Sequence, residues 1–399
     1  MSRKTALILI GTALLLVILG VLFFFWWNRD KVVEPDQPTF PSSGDTDFPP
    51  EDDGAGTAVL PPEIAPRLRL LSSEPVAGAV IGKRGGRLVA RYVDVATGNV
   101  FEIGLSEGQA ERLTNTTIPK VYEASWRPSG AGVVLRYLDD DEESVETFSG
   151  SIREQEGAVS ERELAGTFLP RDITGLSVSP DGSKIFYLRE ENDQSVGVVS
   201  DMNGGGKKEV WRSPLREWNP LWIKSDTVAL LSKPSLFAPG MLLYVNPSTG
   251  GVERVLADIG GFVALPSPTG ALVAFNAATE GSFTFSIFEK ASHESRPLSI
   301  RTVADKCAWN KTGVKLYCAV PKEIPNALYP DQWYQGLVRF SDDIWSVDAI
   351  TGNTRPLLDP RIEARVELDI TNLLVSDDES YLVFSDSDTQ TLWSLRLTE

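Results

Sequence analysis

Three residue types that usually carry enzyme chemistry are scarce in these 399 residues: one histidine, His293, two cysteines, Cys307 and Cys318, and three methionines. A lone histidine excludes multi-histidine metal centres and reduces histidine-based catalysis to a single residue. That residue lies in Ala291-Ser292-His293-Glu294-Ser295, a polar turn. No glycine-rich loop running into Lys-Ser/Thr is present to cradle phosphates. Basic residues are also short: 38 Lys and Arg face 55 Asp and Glu, a net charge of −17. This balance argues against nucleic acid, whose phosphates need Lys and Arg, and would repel anionic lipid head groups. The composition therefore points to no catalytic residue set, no cofactor and no metal.

What is present begins with an apolar segment. Met1-Ser2-Arg3-Lys4 precedes an uncharged run over 5–27, ending Phe23-Phe24-Phe25-Trp26-Trp27. As a helix it would reach about 34 Å, enough for a bilayer core of about 30 Å, with an aromatic belt at its end. A cleaved signal peptide would have a shorter apolar core and small residues after it. A single-pass transmembrane anchor is expected over 5–27. The basic flanks tie, Arg3 and Lys4 against Arg29 and Lys31, but Val32 to Pro66 contains no Lys or Arg. The expectation is a single-pass protein of the cell membrane, with the four-residue N-terminus in the cytoplasm and residues 67–399 outside. Residues 28–66, rich in proline and aspartate, cannot bury enough apolar surface to offset ordering, and read as a disordered stalk.

Residues 67–399 read as all-β: runs of four to eight Val, Ile, Phe, Tyr and Trp residues separated by turn signals. One short strand pattern recurs, carrying a basic residue beside Leu or Val: Glu111-Arg112-Leu113, Glu161-Arg162-Glu163-Leu164, Lys207-Lys208-Glu209-Val210, Glu253-Arg254-Val255-Leu256, Ser295-Arg296-Pro297-Leu298 and Thr354-Arg355-Pro356-Leu357. A seventh copy, Pro66-Arg67-Leu68-Arg69-Leu70, opens the region, and the C-terminal repeat lacks one. Such an offset predicts a ring closed by its N-terminal strand, which removes two sheet edges.

A second mark is a polar turn before an apolar strand: Ser125-Trp126-Arg127-Pro128-Ser129-Gly130, Ser177-Val178-Ser179-Pro180-Asp181-Gly182, Ser267-Pro268-Thr269-Gly270 and Trp309-Asn310-Lys311-Thr312-Gly313. Degenerate copies stand at Gly85-Gly86, at Trp222 to Asp226 and at Ser376 to Glu379. The copies lie mostly about 44 residues apart, the length of a four-stranded propeller blade. The count gives a seven-bladed β-propeller, with six or eight blades as alternatives because two copies are weak. The Ser-Pro-Asp-Gly copy at 179–182 resembles the WD40-like repeat of TolB-type β-propellers. The resemblance implies the fold and a tendency to bind proteins; it transfers no catalytic residue.

Several constellations could carry chemistry. Gly104-Leu105-Ser106-Glu107-Gly108 matches G-x-S-x-G, but that nucleophile needs a strand-to-helix elbow, and here a hairpin turn is expected. Cys307 and Cys318 should lie on adjacent strands, either bridged or as two buried thiols; an extracytoplasmic setting permits the bridge. Acidic loops at 139–143, 190–193 and 386–388 each follow the second strand of a blade and share one face. Asp139, Asp140 and Asp141 are candidate contacts for a basic partner. On the same face lies an insertion, Pro321–Phe340, with Tyr329, Trp333 and Tyr334. Either these aromatics anchor a partner or they fold back and plug the central channel. Deleting Ala327–Gln335 is expected to spare the fold and abolish binding.

The expected function is a protein-binding or scaffold module of the cell envelope, with an envelope or extracellular protein as partner. The alternative is a carboxylate-dependent hydrolase or lyase acting on glycans or peptides in the channel, drawing on Asp172, Asp305 and Asp369. A sensor signalling through the membrane is disfavoured by the four-residue inner segment.

Overall fold

A computed structural model describes residues 66–139, 144–153, 163–279 and 281–397. The chain divides into two units, Met1–Pro61 and Pro62–Glu399, and every described residue belongs to the second. The anchor expected over 5–27, nearly all of the stalk, and Asp140 and Asp141 lie outside the described residues. Among the described residues no helix is long and apolar enough to cross a membrane.

The described strands form seven four-stranded antiparallel sheets, one per blade. Blade 3 shows the pattern: Ile173–Val178, Lys184–Glu191, Gln194–Asp201 and Lys208–Ser213, innermost to outermost. Its second strand is apolar on both faces because a blade is covered by neighbours on both sides, and Ile185 to Leu188 are all buried. The recurring basic strand is the outermost of each blade, as at Glu253–Arg254 and Arg296–Pro297.

The Ser-Pro-Asp-Gly signal is the turn between first and second strands. Ser179 Oγ donates to Asp181 Oδ1 at 2.6 Å and accepts from the Lys184 amide at 2.9 Å. Gly182 takes φ +71°, which glycine adopts at no steric cost. These bonds hold the exposed Asp181 carboxyl down at about 2, Ser179 first and Ser183 next. Blade 7 repeats the turn with Ser376 Oγ and Asp378.

The ring closes as the offset predicts, with seven blades. Leu68–Ser72 is the outer strand of blade 7, beside Leu392–Arg396, Tyr381–Asp386 and Ile370–Val375. Leu68 lies opposite Leu395 and Leu70 opposite Trp393, and the Arg396 amide donates to the Arg67 carbonyl at 2.9 Å. Apolar clusters fill the spaces between blades. One joins Leu71, Val383 and Leu392 of blade 7 to Val76, Ala90 and Tyr92 of blade 1.

Two faces result. The turn face carries the first-to-second and third-to-fourth strand connections, and the loop face carries the blade-to-blade and second-to-third connections. Arg67 starts at the turn face, level with Arg396 and the Ser376–Ser380 turn. His293 and the Gly104–Gly108 segment are both third-to-fourth strand connections on that turn face.

Candidate functional site

The loop face is organised by the blade 6 insertion between Lys315–Pro321 and Asp342–Asp348. It carries a short helix, Asp331–Tyr334, after a cis Tyr329–Pro330 bond. The expectation that all three aromatics offer an exposed binding surface is corrected here. Tyr329 is 1 % exposed and Trp333 8 %, both within the apolar cluster containing Phe283 and Phe340. The Phe283 ring meets Tyr329 edge-on at 4.9 Å, and Phe340 stacks on Tyr329 at 5.9 Å. These rings bury too much apolar area to remain in water. They fold back into the apolar cluster that joins blades 5 and 6. Tyr334 alone stays half exposed, at 46 %.

Against Trp333 and Phe340 lies a fully buried ionic group. Lys306 donates to Asp342 Oδ2 at 2.8 Å and to Asp369 Oδ1. The Lys306 ammonium also sits 5.1 Å from the Trp333 ring centre and 5.2 Å from that of Phe340. Asp369 Oδ2 accepts from Trp333 Nε1 and from the Phe340 amide, each at 3.1 Å. Asp342 Oδ2 accepts the Ile370 amide at 2.7 Å, while its Oδ1 has no partner among the described residues. One ammonium between two carboxylates leaves one negative charge uncompensated. Burial pushes the Asp342 carboxyl up to about 6, with the Asp369 charge adding and Lys306 opposing.

Further bonds tie the insertion to other blades. Asp331 accepts from Ser235 Oγ at 2.8 Å and from the Leu236 amide at 2.7 Å, in the blade 4 loop. Arg339 reaches Asp388 at 2.6 Å and Asp386 at 3.3 Å in blade 7. Tyr334 Oη donates to Asp305 Oδ2 at 2.6 Å. This last pair divides two cavities. One, about 570 Å³, is lined by Arg339, Asp369, Asn372 and Asp388; the other, about 660 Å³, by Glu190, Glu217, Trp218 and Asp331. Asp305 and Tyr334 touch water at these cavities but are surrounded by protein on their other sides. That surrounding raises the Asp305 carboxyl, against the Tyr334 bond, and lifts the Tyr334 hydroxyl well above its ordinary value, helped by the Asp305 charge.

The three carboxylates of the enzyme alternative have different settings. Asp369 is consumed by Lys306, Trp333 and Phe340. Asp172 takes φ +55° and meets the Val145 amide at 3.4 Å. Asp305 lines both cavities, and Asp369 one of them. Asp139 pairs with Arg171 at 3.5 Å on the same face. Among the described residues no group of three or more His, Cys, Asp or Glu side chains is placed to hold a metal ion.

Cys307 and Cys318 are directly opposed on the two inner strands of blade 6, Cα atoms 4.0 Å apart, with their sulfurs bonded. Sequence reasoning missed Lys306, Asp342 and the Asp331 strut. The one signal was a lysine immediately before an inner apolar strand, Cys307-Ala308-Trp309.

No family model matches the chain, and no curated protein matches it. Solved structures are similar to it throughout the ring. Oligogalacturonate lyase from Vibrio parahaemolyticus aligns at TM-score 0.50 and 9 % identity, over 85 % of this chain and 93 % of that one. The β-propeller domain of the Trilobed protease from Pyrococcus furiosus, described as having an open velcro topology, aligns at TM-score 0.51 and 12 % identity, over 81 % and 98 %. The β-propeller domain of Cps50 (Swd1) from Myceliophteria thermophila aligns at TM-score 0.49 and 13 % identity, over 83 % and 100 %. The first two likenesses, at these identities, establish the β-propeller fold alone.

Proposed function

We propose that this chain is a membrane-tethered, extracytoplasmic β-propeller that binds a protein of the cell envelope or exterior through its loop face. The observation that carries the reading is the surface of the fastened insertion. Its aromatic side is buried, and its outer side leaves Leu337 68 % exposed, next in sequence to the anchored Tyr334–Gly336 turn. Asp331 draws in the blade 4 loop that leaves Phe237 75 % exposed. Large apolar side chains on a preorganised platform cost little ordering entropy on binding and suit interface anchors.

The apolar run over 5–27 supports the anchor, and the bonded Cys307–Cys318 pair is at home in an oxidising compartment. The first strand of the propeller begins at the turn face, opposite the proposed partner surface. The Ser179–Asp181 turn supports a WD40-like, TolB-type repeat.

The test is co-purification from crosslinked envelopes with Phe237→Asp and Leu337→Asp. The partner is expected to be lost while the unfolding midpoint stays within about 0.5 kcal/mol of wild type, as surface changes do. Retention of every wild-type partner by the double variant contradicts the reading. One observation favours a second reading, a carboxylate-dependent hydrolase or lyase: Asp305 is a carboxyl with raised proton affinity between two cavities. Glycan or peptide cleavage abolished by Asp305→Asn would select it.

A further inference from the structure

The loop-face cavities present polar side chains that the partner reading does not use. Both cavities share one boundary, the Tyr334–Asp305 pair. Thr174, Asn219 and Gln335 line the larger cavity and Asn372 the smaller. They come from blade 3, blade 4, the blade 6 insertion and blade 7. All four are exposed, and none of their side chains makes a hydrogen bond among the described residues. Backbone register aims two of them. In blade 3 the pairing of the first two strands skips Thr174, between Ile173 and Gly175. In blade 7 it skips Asn372 and Leu373, between Thr371 and Leu374. Such bulges turn a side chain out of the alternation of its strand. Ile173 and Trp218, just before Thr174 and Asn219, are buried.

Most charges around these cavities are already spent. Glu190 meets Arg216 at 3.7 Å, Glu217 meets Lys233 at 2.9 Å, and Arg339 meets Asp388 at 2.6 Å. Asp305 has no cation partner among the described residues; Tyr334 Oη takes its Oδ2, and the other oxygen accepts from no described residue. An anionic guest would find no unspent cation here. A cationic guest only donates, and would leave the amide N–H groups of Asn219, Gln335 and Asn372 unmatched. A hydroxyl both donates and accepts, which suits amides, a threonine hydroxyl and a carboxylate oxygen together. The Tyr334 ring, half exposed, adds a flat apolar face beside them, fit to cover the C–H side of a sugar ring.

We propose that this two-lobed site binds a neutral oligosaccharide, one unit in each cavity, with Tyr334 and Asp305 between them. The cavities, about 570 and 660 Å³, each fall within the usual size of ligand sites. Binding of this kind needs no bond cleavage. It is also independent of the partner anchors, since neither Phe237 nor Leu337 lines either cavity.

The test presents an array of immobilised oligosaccharides, neutral, amino and uronic, to the full-length chain in a detergent without a sugar head group. Neutral members are expected to capture the wild-type chain, and Asn219→Ala combined with Asn372→Gly to weaken that capture roughly tenfold, as for two lost hydrogen bonds. Glycine suits position 372, where φ is +52°. Capture of no neutral member, capture of amino or uronic members alone, or undiminished capture of the double variant overturns the proposal. If that variant does not fold, Thr174→Val combined with Gln335→Ala carries the same comparison, and undiminished capture again overturns it.

Discussion

Trp333 Nε1 donates to Asp369 Oδ2 at 3.1 Å, fastening the middle of the blade 6 insertion to the residue that opens blade 7. The insertion is therefore part of the core on one side and surface on the other. Deleting Ala327–Gln335, expected from sequence to spare the fold, should instead remove Tyr329 and Trp333 from the apolar cluster and abolish cooperative folding. Trp333→Phe keeps an aromatic ring and loses the donor, at a cost of about 1–3 kcal/mol in urea denaturation. Wild-type midpoints in both variants contradict this core role of the insertion.

Lys306 is flanked by two buried carboxylates, so Lys306→Met should cost about 3–5 kcal/mol, because it leaves them without a counter-charge. The pH dependence is separable. The Asp342 carboxyl rises from 3.8 in the unfolded chain to about 6 when folded, chiefly through burial. The native state then binds the proton more tightly, so Asp342 costs stability above about 6 and that cost fades as pH falls toward 3.8. Asp181 has the opposite sign: its contribution is present above 3.8 and lost as pH falls through about 2. Asp181 is exposed, so its share is small. Asp342→Asn should remove the slope of stability with pH in the upper window only, measured by denaturation across that range; an unchanged slope contradicts the assignment.

Ring closure makes a position-specific prediction. Leu68 is buried against Leu395 and Phe384, whereas Leu70, two residues on, is nearly half exposed. Leu68→Ala should cost about 2–5 kcal/mol although it lies at the start of the folded unit. Leu70→Ala should stay within about 0.5 kcal/mol. Equal small effects in chemical denaturation contradict pairing of this strand with the last blade.

The Cys307–Cys318 bond closes a short loop, with a sequence separation of 11. Closing a loop of that order stabilises by about 3 kcal/mol in the chain-entropy view. Cys307→Ala with Cys318→Ala should lose that amount in oxidising buffer. In intact cells the native cysteines should resist alkylation until reduced. Free labelling without reductant contradicts the bond.

Local chemistry made the fold legible. The Ser179–Gly182 turn, the outer-strand arginines and the seventh copy at Arg67–Leu70 are short-range patterns whose spacing alone implies a closed ring. The site was hidden because its bonds join residues far apart in sequence. Nothing near Asp331 indicates that it will meet Ser235 and Leu236, and nothing near Lys306 indicates Asp369. Trp333 and Tyr329 read equally well as surface anchors or core, since an aromatic loop carries no periodicity to say which way it turns. Phe237, at a loop tip in blade 4, carried no signal until Asp331 placed the insertion beside it.

The most direct measurement places a photoreactive amino acid at Phe237 and, separately, at Ile350 on the opposite face, in the full-length chain in its native envelope. The account predicts a discrete protein adduct from position 237 and none from position 350. Adducts from position 350 alone would contradict it.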